Sequence, residues 1–364
     1  MTRYFPIKVQ ANNIRGYFGN SANHCSIIKK YIQRYIFLRK KIVTFNCQLE
    51  QHDNITPFFV SDLGEIIKVI SQDKYDLIVI NQTDKISANR FYPELQVGFD
   101  IFNEVTATYD SQILFFGRDI IDDVPSMFSS LAMGIADKTY KTNSVQNFQG
   151  MLKVITGPMY SDKTTSLIED YDNLCEEYQN DKEKCENKIC LVKPCLDARN
   201  PIISDRHDRQ RAPNLRPNTL AEIVSHIKKY QQYEYILIDE VQFLNFNQDF
   251  CTANQLEIQS SCQQIIQLLK KGINFFIYGL DQNFKREPFL TTSLLMATSD
   301  QVVKLKAICN CCHEDNACHS QKISQNKKGS YDPTARYIAL CRHCYDQNNL
   351  SEIDLFSDPL LSFV

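Results

Sequence analysis

From residue 151 onward the apolar positions change period in a regular way. "MLKVIT" is a β-branched run that stops at Gly157 and reads as a strand. "KTTSLIEDYDNLCEEY" follows, with Leu167, Tyr171, Leu174 and Tyr178 three or four positions apart, the spacing of one helical face. A charged stretch, "QNDKEKCEN", reads as a loop leading to the strand "KICLVKP". Two further apolar runs, "YEYILIDE" and "INFFIYGLD", complete the set. Strands that are apolar throughout, alternating with helices, predict an α/β fold: a parallel sheet with helices on both faces.

The junction of the first strand and its helix carries "GPMYSDKTT", one residue away from the phosphate-binding pattern G-x-x-x-x-G-K-[ST]. Gly157, Lys163 and Thr164 are in place, and Asp162 stands where the second glycine belongs. Such a junction favours an anion, because unpaired N–H groups and the helix dipole point at it. Asp162 opposes this. A carboxylate ~4 Å from a phosphate oxygen costs about 1 kcal/mol in water and about 4 kcal/mol at an effective dielectric near 20. The expectation is a damaged or retuned nucleotide site. "ILIDEVQF" adds an apolar strand ending in Asp239-Glu240, the placement a P-loop enzyme uses for Mg²⁺ and a second carboxylate.

Two C-x-x-C hooks, Cys309/Cys312 and Cys341/Cys344, have the spacing of a closed tetrahedral zinc site. Cys311, His313 and His343 are substitute ligands that the spacing favours less. Scattered cysteines among the chain's 14, such as Cys25, Cys47 and Cys262, read as small core residues of a reducing compartment. A net charge of −3 gives no polyanion footprint, so neither nucleic acid nor a membrane surface is expected as a partner. No apolar run approaches the ~18 residues of a membrane span, and "MTRYFPIKVQ" lacks a signal-peptide core. A cytoplasmic location is expected.

Seven ordered segments carry a resemblance: "GPMYSDKTT", "VKPCLDAR", "ILIDEVQF", "GLDQNFKREPF", "VVKLKAIC", "SQKI" and "YIALCRHCY". From Met151 to Tyr345 the chain resembles the zinc-containing thymidine kinases of cellular and poxviral type. The resemblance implies a RecA-like domain over 149–302, a zinc-held lasso module over 303–348 and a tail over 349–364. It implies transfer of the γ-phosphate of ATP to the 5′-hydroxyl of thymidine, and of deoxyuridine, giving dTMP for nucleotide salvage. Glu240 matches the general base. Gly157, Ser161, Lys163, Thr164, Asp197, Arg199, Asp239 and Gln242 match the ATP and phosphate end, with Thr164 and Asp239 on Mg²⁺. Met159, Phe243, Leu280, Phe284 and Phe289 match the wall around the base, for which plain core packing is the competing account. Ser320 stands in place of a threonine, and Tyr337 matches the lasso tyrosine. Lys328, Gly329, Ser330, Tyr331 and Asp332 match the lasso segment that faces thymine. There Asp332-Pro333 replaces Gly-Gly, and Pro333 has no N–H to offer.

Residues 1–148 read as a second, eroded copy of the same domain. "IRGYFGNSANHCSIIKKYIQRY" has the shape of strand, glycine loop and helix, with no lysine at the phosphate position. "DKYDLIVINQTDKI" echoes "YEYILIDEVQFL", with the amides Asn81-Gln82 in place of the two acids. An inactive copy can occupy a neighbouring subunit's place at high effective concentration, so an intramolecular pseudo-dimer or a homo-oligomer is expected. The alternative function is a pseudokinase or nucleoside-binding assembly protein whose phosphate loop Asp162 disables.

Overall fold

The computed structural model describes residues 14–19, 24–49, 52–87, 95, 97–99, 101–102, 111–121, 124–142, 149–197, 201–246, 252–323 and 335–347. The N-terminal half runs β1 (Ile14–Gly19), α1 (His24–Phe37), β2 (Ile42–Phe45), β3 (Ile55–Phe58), α2 (Leu63–Gln72), β4 (Leu77–Ile80), β5 (Gln112–Gly117), a small hairpin of β6 (Ile120–Ile121) and β7 (Val124–Pro125), α3 (Met127–Ile135) and β8 (Lys138–Thr142). The second half runs β9 (Leu152–Thr156), α4 (Lys163–Glu177), α5 (Lys182–Lys188), β10 (Ile189–Val192), β11 (Ile203–Ser204), β12 (Gln210–Arg211), α6 (Leu220–Tyr230), β13 (Tyr235–Ile238), α7 (Thr252–Leu269), β14 (Asn274–Gly279), α8 (Leu290–Thr298) and β15 (Gln301–Lys304). A small module closes the described chain: β16 (Ala307–Ile308), β17 (Asp315–Ala317), β18 (His319–Lys322), β19 (Tyr337–Leu340) and α9 (Arg342–Asp346).

Both main sheets are parallel, as the apolar runs predict. Two expectations need correction. The charged stretch after α4 is not wholly loop: its residues form α5, because Asp181 caps the helix by accepting from the N–H groups of Glu183 and Lys184. The stretch between the two C-x-x-C hooks, 313–340, whose polarity reads as a flexible loop, contains β17, β18 and β19 among its described residues, with β18 and β19 paired antiparallel.

The two halves share one topology. The first sheet has the order β3-β2-β4-β5-β1-β8 and the second β10-β13-β14-β9-β15. Exchanging β1, β2, β4, β5 and β8 for β9, β10, β13, β14 and β15 turns the shared part of one order into the other. The detail repeats as well. Asp137 accepts from the N–H of Ile14 at 2.8 Å, and Asp300 accepts from the N–H of Leu152 at 2.8 Å. Gln82 and Glu240 both take left-handed backbone, φ 53° and 51°, to start a short 3₁₀ turn after β4 and β13.

The halves meet through α3 and α8, whose residues are buried along their whole length. Leu131, Met133, Leu294 and Met296 belong to one continuous apolar core that also takes Ile14 and Phe115 from the first sheet and Val154 and Phe275 from the second. A reciprocal polar contact flanks that core. Lys141 pairs with Asp119 of its own half and donates to the carbonyls of Met296 (3.3 Å) and Ala297 (2.7 Å) at the end of α8. Lys304 pairs with Asp281 of its own half (2.8 Å) and donates to Gly134 (2.9 Å) and Ala136 (2.5 Å) at the end of α3. Cations at helix C-termini satisfy the unpaired carbonyls there.

Candidate active site

The phosphate end is built by β9, the loop after it and α4. Gly157 has φ +150°, and a Cβ there would lie 2.5 Å from the carbonyl oxygen of Leu305, so the strand can turn only without a side chain. Ser161 Oγ donates to Pro158 O at 2.8 Å, which tightens the loop. Lys163 folds its ammonium back into the loop, donating to Pro158 O at 2.5 Å and approaching Ser161 Oγ at 3.3 Å. Burial lowers its pKa, while the charges of Glu240, Asp281, Asp239 and Asp162 oppose that shift. Those carbonyl and hydroxyl contacts are what a polyphosphate oxygen would replace.

Asp162 adopts left-handed backbone, φ 60°, at the N-cap of α4, a conformation natural to glycine and tolerated by Asp. Its carboxylate pairs with the Arg206 guanidinium at 3.1 Å. Arg206 sits on the turn between β11 and β12. That turn is anchored by buried Asp205, which accepts from the N–H groups of His207 (2.9 Å) and Arg209 (3.0 Å) and from Arg209 Nε (2.8 Å). Two more pairs run down α4, Arg209–Glu169 at 3.5 Å and Arg211–Asp172 at 2.5 Å. The hairpin is thus strapped along the helix that follows the phosphate loop.

The carboxylates come from the end of β13. Asp239 accepts from Thr164 Oγ1 at 3.3 Å and faces Lys193 Nζ at 3.2 Å. Its carboxyl is pushed up to about 6, first by burial and then by the neighbouring charge of Glu240, with Lys193 opposing. Asp197 does not face the cavity. It is buried behind the site in an ion pair with Lys193, 3.0 Å away. Gln242 is also buried; its amide bonds to Glu240, and its Oε1 accepts from the N–H of Leu280 at 2.9 Å. It therefore orients Glu240 and ties it to the strand end beyond β14. Arg199 lies outside the described residues.

Between these groups opens a cavity of about 250 Å³. Lys163, Thr164 and Glu240 line it, together with Met159, Phe243, Leu280, Phe284 and Phe289. Ser320 and Tyr337 reach it from the small module. Ser320 Oγ accepts the N–H of Met159 at 2.9 Å, so its hydroxyl fastens the module to the phosphate loop. The Tyr337 ring lies 6.5 Å from that of Phe284, and Tyr160 donates to Tyr337 O at 3.2 Å. Lys328, Gly329, Ser330, Tyr331 and Asp332 lie outside the described residues. Arg206, Gln282, Asn283 and Tyr160 line the cavity without having been singled out from the sequence. Arg206 alone offered a signal: a basic residue in a run of alternating charge, "SDRHDRQR", downstream of an unexplained acid.

The four hook cysteines converge. The sulfurs of Cys309, Cys312, Cys341 and Cys344 lie within 4.8 Å of one another, and Cys312 and Cys341 are 3.9 Å apart. Zinc–sulfur bonds of about 2.3 Å in a tetrahedron put sulfurs about 3.8 Å apart, so the residues fit the ion. The N–H of Cys341 donates to Cys309 Sγ at 3.3 Å and that of Cys344 to Cys341 Sγ at 3.4 Å, the polar support that bound thiolates need. A second cluster, Asp137, Cys318 and His319, has ligand-like spacing but the wrong field. Arg342 already holds Asp137 at 2.8 Å, and burial together with Arg342, Arg286, Lys304 and Lys306 holds His319 well below the usual imidazole range. Four cations make a poor host for a fifth.

A phosphate loop entering α4, two carboxylates at the end of β13, an aromatic cavity and a small four-cysteine module that could hold zinc define a P-loop phosphotransferase. The thymidine kinase family model matches residues 150–345, and the chain belongs to that family. Among curated relatives, the thymidine kinase of Pseudothermotoga lettingae is 32% identical over 200 residues, covering 54% of this chain and 96% of that protein. That of Ureaplasma urealyticum is 29% identical, covering 61% and 95%. That of Choristoneura fumiferana entomopoxvirus is 29% identical, covering 54% and 97%. Among the described residues, no helix is long and apolar enough to cross a membrane.

Proposed function

We propose that the chain transfers the γ-phosphate of ATP to the 5′-hydroxyl of thymidine, and of deoxyuridine, yielding dTMP for deoxynucleoside salvage in the cytoplasm. The observation that carries this reading is Glu240. It lines the same cavity as Lys163 and Thr164 of the loop and the aromatic residues Phe243, Phe284 and Phe289. In that position its carboxylate accepts the 5′-hydroxyl proton as the oxygen attacks the γ-phosphorus, and the leaving group is ADP. Lys163 and the amides of the loop hold the phosphates, joined by Arg199. Thr164 and Asp239 are the residues to hold Mg²⁺, which supplies charge neutralisation on the phosphates. Gln242 positions Glu240, and Asp197 positions Lys193. The aromatic wall takes the base, and residues 328–332 are the further contacts to it that the family resemblance implies.

Zinc on the four cysteines is structural in this reading: it fixes both ends of the lasso and takes no part in the transfer. The shared strand order and the amides Asn81-Gln82 at the place of Asp239-Glu240 support a duplicated, catalytically spent domain over 1–148, with catalytic, zinc-binding and tail segments at 149–302, 303–348 and 349–364. The buried α3–α8 contact supports a pseudo-dimer within one chain. Radiolabelled thymidine with Mg-ATP and the purified chain, beside Glu240→Gln, tests the proposal. Labelled dTMP from the wild type and at least a hundred-fold less from the variant, on the order expected for loss of a general base, is the expected result. An inactive wild type that still binds thymidine would instead favour a pseudokinase, the reading to which Asp162 points.

A further inference from the structure

We propose that the spent N-terminal half positions the nucleoside end of the active site, so that it governs thymidine binding more than ATP binding; this rests on the kinase reading above. The contacts lie at the C-terminal end of α3. The carbonyl of Gly134 accepts from Gln282 Nε2 at 2.8 Å. Gln282 lines the cavity, and its Oε1 faces His319 Nδ1 at 3.2 Å. His319 precedes Ser320, the residue that fastens the module to Met159. One short relay therefore runs from the spent half, through Gln282 and the zinc module, to the cavity wall.

Gln282 also bridges to Pro288, closing a hairpin that carries Phe284 and runs into Phe289. A Cβ at Gly134 would lie 2.5 Å from Pro288 Cβ and 2.9 Å from Ser293 Oγ. Glycine lets the two halves approach closely enough for the hairpin to rest on α3. A second contact holds the zinc module. Arg342, between the ligands Cys341 and Cys344, is buried, and its guanidinium donates to Asp137 at 2.8 Å and to Ile135 O at 3.4 Å. Without Asp137, the guanidinium would lose its paired carboxylate inside the protein, an arrangement a fold does not tolerate cheaply. The module is coupled to the hairpin in turn: Arg286 pairs with Asp346 at 2.5 Å, and Tyr345 donates to Phe284 O at 2.5 Å.

The phosphate end is held differently. Lys163 bonds to Pro158 and Ser161, Thr164 to Asp239, and Asp239 to Lys193, all within the second half. Leu305, against which Gly157 turns, donates to Thr156 O at 2.7 Å and so belongs to the same sheet. The end of α3 touches this side through Lys304, which precedes Leu305 and donates to Gly134 O and Ala136 O. It bears on the base wall through Gln282, the Pro288 hairpin and Arg342 together, so a disturbance there falls more heavily on the base wall.

The test uses the full chain and two variants. In Gly134→Ala the three nearest atoms that the added methyl meets, on Pro288 and Ser293, belong to the second half. Asp137→Asn removes the carboxylate charge from Arg342. Calorimetry with thymidine alone, and steady-state KM for thymidine and for ATP, are measured for each. Expected are a rise of about five-fold or more in the thymidine Kd and KM and less than about two-fold in the ATP KM, with Asp137→Glu recovering part of the loss. If Asp137→Asn fails to fold, Gly134→Ala decides the matter. Unchanged thymidine affinity in a folded Gly134→Ala chain overturns the inference, as does an equal loss of thymidine and ATP. Calorimetry separates this from the kinase reading: a chain that binds thymidine without turnover sinks that reading and still measures this one, and a chain that binds no thymidine ends both.

Discussion

Asp162 and Arg206 face each other at 3.1 Å across the mouth of the phosphate site, so the acid that breaks the glycine pattern arrives with its own counter-charge. The pair is partly exposed, and such pairs contribute little to stability, about 0–1 kcal/mol. Its importance lies in the field felt by a phosphate. Repulsion by an uncompensated Asp162 amounts to roughly 1 to 4 kcal/mol, and a guanidinium 3.1 Å away cancels much of it.

A double-mutant cycle reads this coupling. Arg206→Ala in the wild-type background should raise the ATP KM about five-fold or more, equivalent to ~1 kcal/mol. Asp162→Gly should lower it, because glycine also suits the φ of 60°. The double variant should recover most of the loss. Additive effects in steady-state kinetics, with ATP varied at saturating thymidine, would show that the two side chains do not act on the phosphates together.

Zinc should copurify at about one ion per chain, since four cysteine sulfurs converge within 4.8 Å of one another. Cys341→Ser should lose the metal and weaken thymidine binding more than ATP binding, because Ser320 and Tyr337 reach the cavity from that module. Elemental analysis paired with calorimetry checks both halves of the statement. A metal-free chain of normal thymidine affinity contradicts it.

His319 gives a pH signature. Burial and four nearby cations hold its folded-state pKa well below the value of 6.5 that an unfolded chain offers. The folded state binds fewer protons than the unfolded one below that value, so stability falls as pH drops below about 6.5. A single site contributes at most ~1.4 kcal/mol per pH unit. Melting temperature followed from pH 7.5 to 5.5 should fall less steeply in His319→Asn than in the wild type. Parallel curves would remove His319 as the cause.

Cutting the chain before Met151 should bare α8, an apolar helix buried along its length against α3. The fragment 151–364 is expected to aggregate or self-associate, since exposed apolar faces of that size seek a partner. Light scattering on a soluble, monomeric and fully active fragment would argue against the shared core as a necessity.

The sequence revealed most where one residue type has one physical use. "MLKVIT" before Gly157, the acids after "ILI" and the two C-x-x-C hooks each announced an element and a chemistry, and each sits where its pattern implied. Pairings that depend on the fold were hidden. Nothing local says that Asp162 turns toward Arg206, 44 positions later. Asp197 and Gln242 sit beside the right motifs, yet their side chains support Lys193 and Glu240 from behind. Whether a polar residue touches a ligand or props one that does is decided by burial, which a run of letters does not carry. Helix α5 was missed because its charged residues show no apolar stripe; its Asp181 cap was the available cue.

Asp137 and Asp300 each tie the end of a helix to the first strand of their own half, but Asp137 also takes Arg342. In a dimer of identical subunits, a substitution on the axis appears twice and must suit both faces. Within a single chain, each face can change alone. If the two halves are the duplicated pair proposed above, such a fusion releases the two sides from mirror-image constraint: one can surrender chemistry and specialise as a brace, while the other keeps a site that does not depend on meeting a second molecule, however dilute the protein becomes.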